Sequence, residues 1–158
     1  MEMSGKKNVQ SIKDRLIEYR ERERDIDNQI ERIENLEAKM VSLQSPEISG
    51  MPTAHSVVKD KICKMIAQKD EMEKQVRRLI EIQDFEREWI SGILSCLKSA
   101  DERACIQMRY LDVESWPKVS KMLFGHYEDY EERRDSYLRR TTKIHGRALK
   151  NISDYLEE

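Results

Sequence analysis

The chain has 158 residues, enough for about one domain, and 38% of them are charged against 38% hydrophobic. Five glycines and three prolines fall well below the roughly 12% of average usage, so the turn punctuation of a sandwich, barrel or doubly wound sheet is missing. Lys and Arg number 29 against 31 Asp and Glu, which excludes polyanion binding by bulk charge and leaves local segregation as the only route to it.

The balance of charge and apolar residues suits long amphipathic helices, each with one narrow apolar stripe, and the expected fold class is all-α. No apolar run approaches the length of a membrane span, and the opening MEMSGKKNVQ lacks the apolar core of a secretory signal. Three cysteines (Cys63, Cys96, Cys105) form no CxxC pair. They fit free thiols in a reducing compartment, so a cytoplasmic location is expected. The histidines His55, His126 and His145 are scattered without ligand spacing, and neither a metal nor a cofactor is expected.

Residues 8–44 read as one helix. Val9, Ile12, Leu16, Tyr19, Ile26, Ile30, Ile33, Leu36, Met40 and Leu43 recur at steps of three and four, with Glu23 the one charged intruder in the seam. Arg20 to Asp25 form a mixed-charge solvated face. SPEISGMPTA over 45–54 is the clearest loop. A second apolar series then predicts a helix over 56–98: Val58, Ile62, Met65, Met72, Val76, Leu79, Ile82, Phe85, Trp89, Ile93 and Leu97. Two long helices and a short loop make an antiparallel hairpin, so 1–98 is expected to be a coiled-coil hairpin and 99–158 a second domain.

Ser99 followed by Glu102 marks a helix start, and a short helix over 100–111 is predicted. Asp112-Val113-Glu114 breaks it. Ser115 caps the next helix, with Pro117 in its first turn, and Gly125 is expected to close it with a positive φ. Residues 127–156 keep a helical period throughout. They fit one long helix, or a fresh start at Asp135-Ser136.

Charge segregates in that last segment. RRTTKIHGRALK, residues 139–150, holds Arg139, Arg140, Lys143, Arg147 and Lys150 and no acid, while EDYEE (128–132) just upstream is acidic. On a helix the cations share a face distinct from that of Ile144, Ala148 and Ile152. Such a helix can pack on its own domain while meeting a polyanion, with Lys and Arg at phosphates and Thr142 at a phosphate or base. The run lies on the last of three helical segments, where helix-turn-helix domains carry their recognition helix. Gly146 interrupts the run. Close packing against a neighbouring helix and close approach to a DNA backbone both explain it, and packing is the preferred reading. His145 reads as a polar residue at a helix boundary, since no nucleophile or carboxylate stands at useful spacing.

Three stretches carry a resemblance: Gln107-Met108-Arg109-Tyr110-Leu111, Ser115 to Leu123 (SWPKVSKML), and Lys143 to Lys150 (KIHGRALK). Together with the hairpin they resemble the small phage-encoded transcriptional regulators of the RinA/ArpU type, whose C-terminal domain is similar to the fourth region of sigma-seventy factors. The resemblance implies a sigma-region-four-like helix-turn-helix protein acting at phage or prophage promoters. Double-stranded DNA would be its partner, and the hairpin would supply a homodimer or an RNA polymerase contact. It also implies Arg139, Arg140, Thr142, Lys143 and Arg147 as DNA contacts and Trp116, Val119, Leu123, Ile144 and Ala148 as the core. The chain departs from the family by inserting HYEDYEERRDSYLRR between Leu123 and His145, which either extends the recognition helix backward or lengthens the turn. The acidic part is expected to point away from DNA.

Two other classes fit the pattern. One is a DNA-packaging assembly protein like a small terminase; the other is a coiled-coil interaction protein whose basic stripe is only solvated. No phosphate loop, metal cluster or nucleophile–base pair suggests an enzyme.

Overall fold

The computed structural model describes residues 2–44 and 55–158, with side chains over 8–44 and 56–158. The fold is all-α. In chain order α1 spans Glu2–Gln44, α2 His55–Cys96, α3 Ala100–Ile106, α4 Trp116–Phe124 and α5 Arg134–Glu157, with a π-helical turn at Gln107–Leu111 between α3 and α4. Among the described residues there is no strand, and no helix is long and apolar enough to cross a membrane. The loop expected over 45–54 lies outside the described residues.

The chain divides into two compact units, Arg22–Asp84 and Met1–Glu21 with Phe85–Glu158. The ends of α1 and α2 therefore belong with the C-terminal helices, whereas the sequence pattern places the boundary at residue 98.

In the unit Arg22–Asp84, α1 and α2 run antiparallel, as the pairs Lys69–Glu37 (2.8 Å) and Gln83–Glu23 (2.6 Å) fix. Its apolar seam is narrow. Leu36, Met65 and Met72 are buried, with Ile33, Met40 and Leu43 packed against them.

The seam of α2 departs from the one expected from sequence. Ile82 and Phe85 are 47% and 68% exposed, while Gln83 and Ile90 are 3% and 0% exposed. Counting in threes and fours from Val76 gives 79, 83, 86, 90, 93 and 97, the positions that face α1. Residues 82, 85 and 89 lie one step off that line. The seam tolerates its polar members because each is paired. In the unit Arg22–Asp84, Gln83 donates to Glu23 and accepts from Arg22 Nη1 at 2.9 Å. In the other unit, Glu86 accepts a two-pronged bond from Arg15 at 2.7 and 2.9 Å, and Arg15 also lies 3.8 Å over the Trp89 ring. Unpaired, a buried amide such as Gln83 costs about 1–3 kcal/mol, so these partners hold the register.

In the unit formed by Met1–Glu21 and Phe85–Glu158, Ile12, Leu16, Tyr19, Ile90, Ile93 and Leu97 of the two long helices meet Ile106 and Tyr110, and Ala148, Leu149 and Ile152 of α5. A second cluster joins Cys105, Met108, Val119, Phe124, Tyr130, Tyr137 and Ile144. Helix α5 contributes to both clusters and packs across α3 and α4. Trp116 and Leu123, expected in the core, sit partly buried against the second cluster.

Local signals set the helix ends. Ser99 caps α3, its hydroxyl accepting from the Glu102 amide at 3.4 Å. Ser115 occupies the cap position of α4 but makes no side-chain cap bond, and Pro117 lies in the first turn as expected. Gly125 closes α4 in a right-handed conformation, φ −63°, not with the positive φ expected of it. Its constraint is steric: a Cβ there would collide with the Lys121 carbonyl, which accepts the Gly125 amide at 2.7 Å. The last helix starts at Arg134, and 125–133 form the connection from α4.

The turn before α4 is strained. Val113 has φ 57°, a left-handed conformation that costs a β-branched residue roughly 1–2 kcal/mol. Arg109 Nη1 donates to the Glu114 carbonyl at 2.9 Å, and the Glu114 amide donates to Met108 O at 3.0 Å, so the turn is held from both sides. Asn tolerates this region, so Val113→Asn raises stability by about 1 kcal/mol in urea denaturation. A loss of stability would show that Val113 packs better than its backbone suffers.

Candidate nucleic-acid interface

Helix α5 has two faces. Tyr137, Thr141, Ile144, His145, Ala148, Leu149, Ile152 and Ser153 are buried. Arg139, Arg140, Thr142, Lys143, Gly146, Arg147 and Lys150 are all exposed. At about 100° per residue, Arg139, Lys143, Gly146 and Lys150 fall within an arc of roughly 60°, a line about 17 Å long. Arg147 and Arg140 lie further round the same exposed side.

The sequence-predicted site residues differ in how free they are. Among the described residues, Arg139, Lys143, Arg147 and Lys150 are engaged by no carboxylate. Arg140 lies 5.1 Å over the Phe124 ring, a cation–π contact that turns it toward the α4–α5 connection. The Thr142 hydroxyl donates to its own helix at Arg139 O, 2.8 Å, so only its lone pairs face outward. Gly146 does not pack against a neighbouring helix: a Cβ built there meets nothing within 4 Å.

Two acids of the segment before α5, Asp129 and Glu131, are paired locally. Asp129 accepts from the Tyr137 hydroxyl at 2.6 Å and from Arg133 at 3.2 Å. The Tyr137 bond, with Arg133 adding to it, holds the Asp129 carboxyl below its ordinary range. Arg134 pairs with Glu131. Tyr127 stacks on Tyr137 at 5.7 Å and 11°, a contact that pins the connection to α5. Arg133, at the cap position, and Arg134, the first residue of α5, are thus paired with the acids beside them, and the unengaged cations begin at Arg139.

His145 is no boundary residue. It is buried in the interior of α5, its Nε2 2.7 Å from the Tyr110 hydroxyl and its ring edge-on to Trp116 at 4.9 Å. The Arg109 guanidinium covers the other ring of that motif, 4.6 Å from the Trp116 centroid. Burial, and then the charges of Lys13 and Arg109, push the imidazole down to about 4 from 6.5. Burial likewise pushes the Tyr110 hydroxyl up to about 12 and the Cys105 thiol up to about 11, so the pair is neutral and the thiol unreactive near neutrality. Among the described residues, no three His, Cys, Asp or Glu side chains gather to hold a metal ion.

What the sequence did not reveal is that Tyr110, Trp116 and His145 form one contact set. The only signal for it is the joint occurrence of the three in the resemblance motifs. Comparisons with protein-family models, curated proteins and solved structures gave no match.

A folded-state imidazole depressed below its unfolded value contributes stability that is complete above pH 6.5 and is lost as pH falls toward 4. The loss reaches about 3 kcal/mol near pH 4, where the folded imidazole protonates as well. His145→Gln flattens this part of the profile when urea midpoints are measured between pH 7 and pH 4. An unchanged slope in that variant would remove His145 as its source.

Proposed function

We propose that the protein is a sequence-specific DNA-binding regulator in which α3, α4 and α5 act as a helix-turn-helix unit and α5 enters the major groove. The observation that carries this reading is the line of unengaged cations on the exposed face of α5, opposite the buried residues that fix the helix's rotation. Cations without an ion pair of their own have none to break on meeting phosphates, and an arginine among them can reach a guanine edge. The resemblance to RinA/ArpU-type regulators adds phage or prophage promoters as the site of action.

The same reading expects the protein to self-associate. A homodimer in sedimentation fits a regulator, whereas a large ring moves the reading to a packaging assembly protein.

Fluorescence anisotropy with a labelled duplex at about 50 mM salt tests the reading. The wild type binds with steep salt dependence. Arg139→Ala with Lys143→Ala weakens binding and reduces the slope of log K against log salt by roughly 2, about 0.9 for each phosphate that is no longer neutralised. Equal binding by that variant and the wild type would leave the cationic face as ordinary solvated surface.

A further inference from the structure

Gly146 lies inside the 24-residue α5, where glycine is less favourable than alanine. Glycine is usually kept in a helix for a backbone angle or for a close neighbour. Neither applies among the described residues, where no glycine has a positive φ and a Cβ at Gly146 would point into open space. The position is not a neutral one. Gly146 stands on the line of Arg139, Lys143 and Lys150, between the two lysines, and is the one member of that line without a side chain. The result is a notch in a cationic ridge, where an outside molecule can reach the helix backbone while cations close on it from both sides.

We propose that Gly146 is the point at which α5 comes closest to double-stranded DNA, the missing side chain letting the helix sit deep enough for Lys143, Arg147 and Lys150 to reach phosphates together. This rests on the DNA-binding reading above and adds to it a residue that acts by shape and carries no charge. A methyl group at 146 lifts the helix from the groove, and a larger side chain lifts it further. The charge of the face is unchanged, so phosphate contacts are lost through depth alone.

Gly92 supplies the control. It too is an exposed helical glycine with nothing within 4 Å of a built Cβ, but it lies on α2, away from the cationic line. Three variants, Gly146→Ala, Gly146→Leu and Gly92→Ala, are compared with the wild type and with Arg139→Ala plus Lys143→Ala. The probe is a mixed-sequence duplex titrated over a range of salt, with a thermal melt of each protein. Gly146→Ala raises the melting temperature by roughly 2 °C, because alanine restricts the unfolded chain and favours the helix. It nevertheless weakens binding about tenfold, and Gly146→Leu about a hundredfold, each with a shallower salt slope although no cation has been removed. Gly92→Ala binds as the wild type does.

If both Gly146 variants bind as tightly as the wild type while the arginine–lysine variant is weakened, the notch is overturned and the DNA-binding reading stands. If Gly92→Ala weakens binding as much as Gly146→Ala, the effect is not local and the notch is likewise overturned. Absence of duplex binding by the wild type removes both.

Discussion

The burial of one side of α5 determines what its other side can do. Tyr137 and Ile144 are locked into the cluster around Val119 and Phe124, and Ala148, Leu149 and Ile152 into the cluster around Leu16, Ile90 and Tyr110. Each large apolar side chain buried this way is worth roughly 1.5–3 kcal/mol, and together they leave the helix no rotation that would hide Arg139 or Lys143. The Tyr110–His145 hydrogen bond ties α5 to the π-helical turn beside it, with both groups neutral. The exposed cations are therefore presented from a fixed helix backbone.

Polar pairs do a related job along the long helices. An all-apolar seam would let α1 and α2 slide by a heptad at little cost. In the unit Arg22–Asp84, Gln83 is paired with Glu23 and Arg22; in the other unit, Glu86 is paired with Arg15. Register is specified by groups that are costly to bury in any other alignment.

Much of the fold was legible from the residues. Scarcity of glycine and proline, the period of the apolar positions, the Ser99 cap and Pro117 led to an all-α chain with helix ends close to those observed. The two-sided nature of α5 was legible too, because residues 139–150 separate cations from Ile144 and Ala148 at helical spacing. What escaped was decided by tertiary pairing. The apolar pattern runs through Ile82 and Phe85, off the seam, and only the partners on α1 reveal that Gln83 belongs inside. His145 looked like a boundary residue because its partner, Tyr110, is remote in sequence. Gly125 was assigned a positive φ from its place at a helix end, whereas its closeness to the Lys121 carbonyl is a property of the three-dimensional turn. Gly146 reads from sequence as a packing residue, whereas no described residue packs there.

Backbone amide chemical shifts recorded while a mixed-sequence duplex is added offer the most direct view of whether the outward side of α5 is a nucleic-acid surface. The largest changes are expected at Arg139, Thr142, Lys143, Gly146, Arg147 and Lys150, with Ile144 and Ala148 on the anchored side moving less. Shifts concentrated in residues 22–84 while α5 stays silent would contradict the assignment.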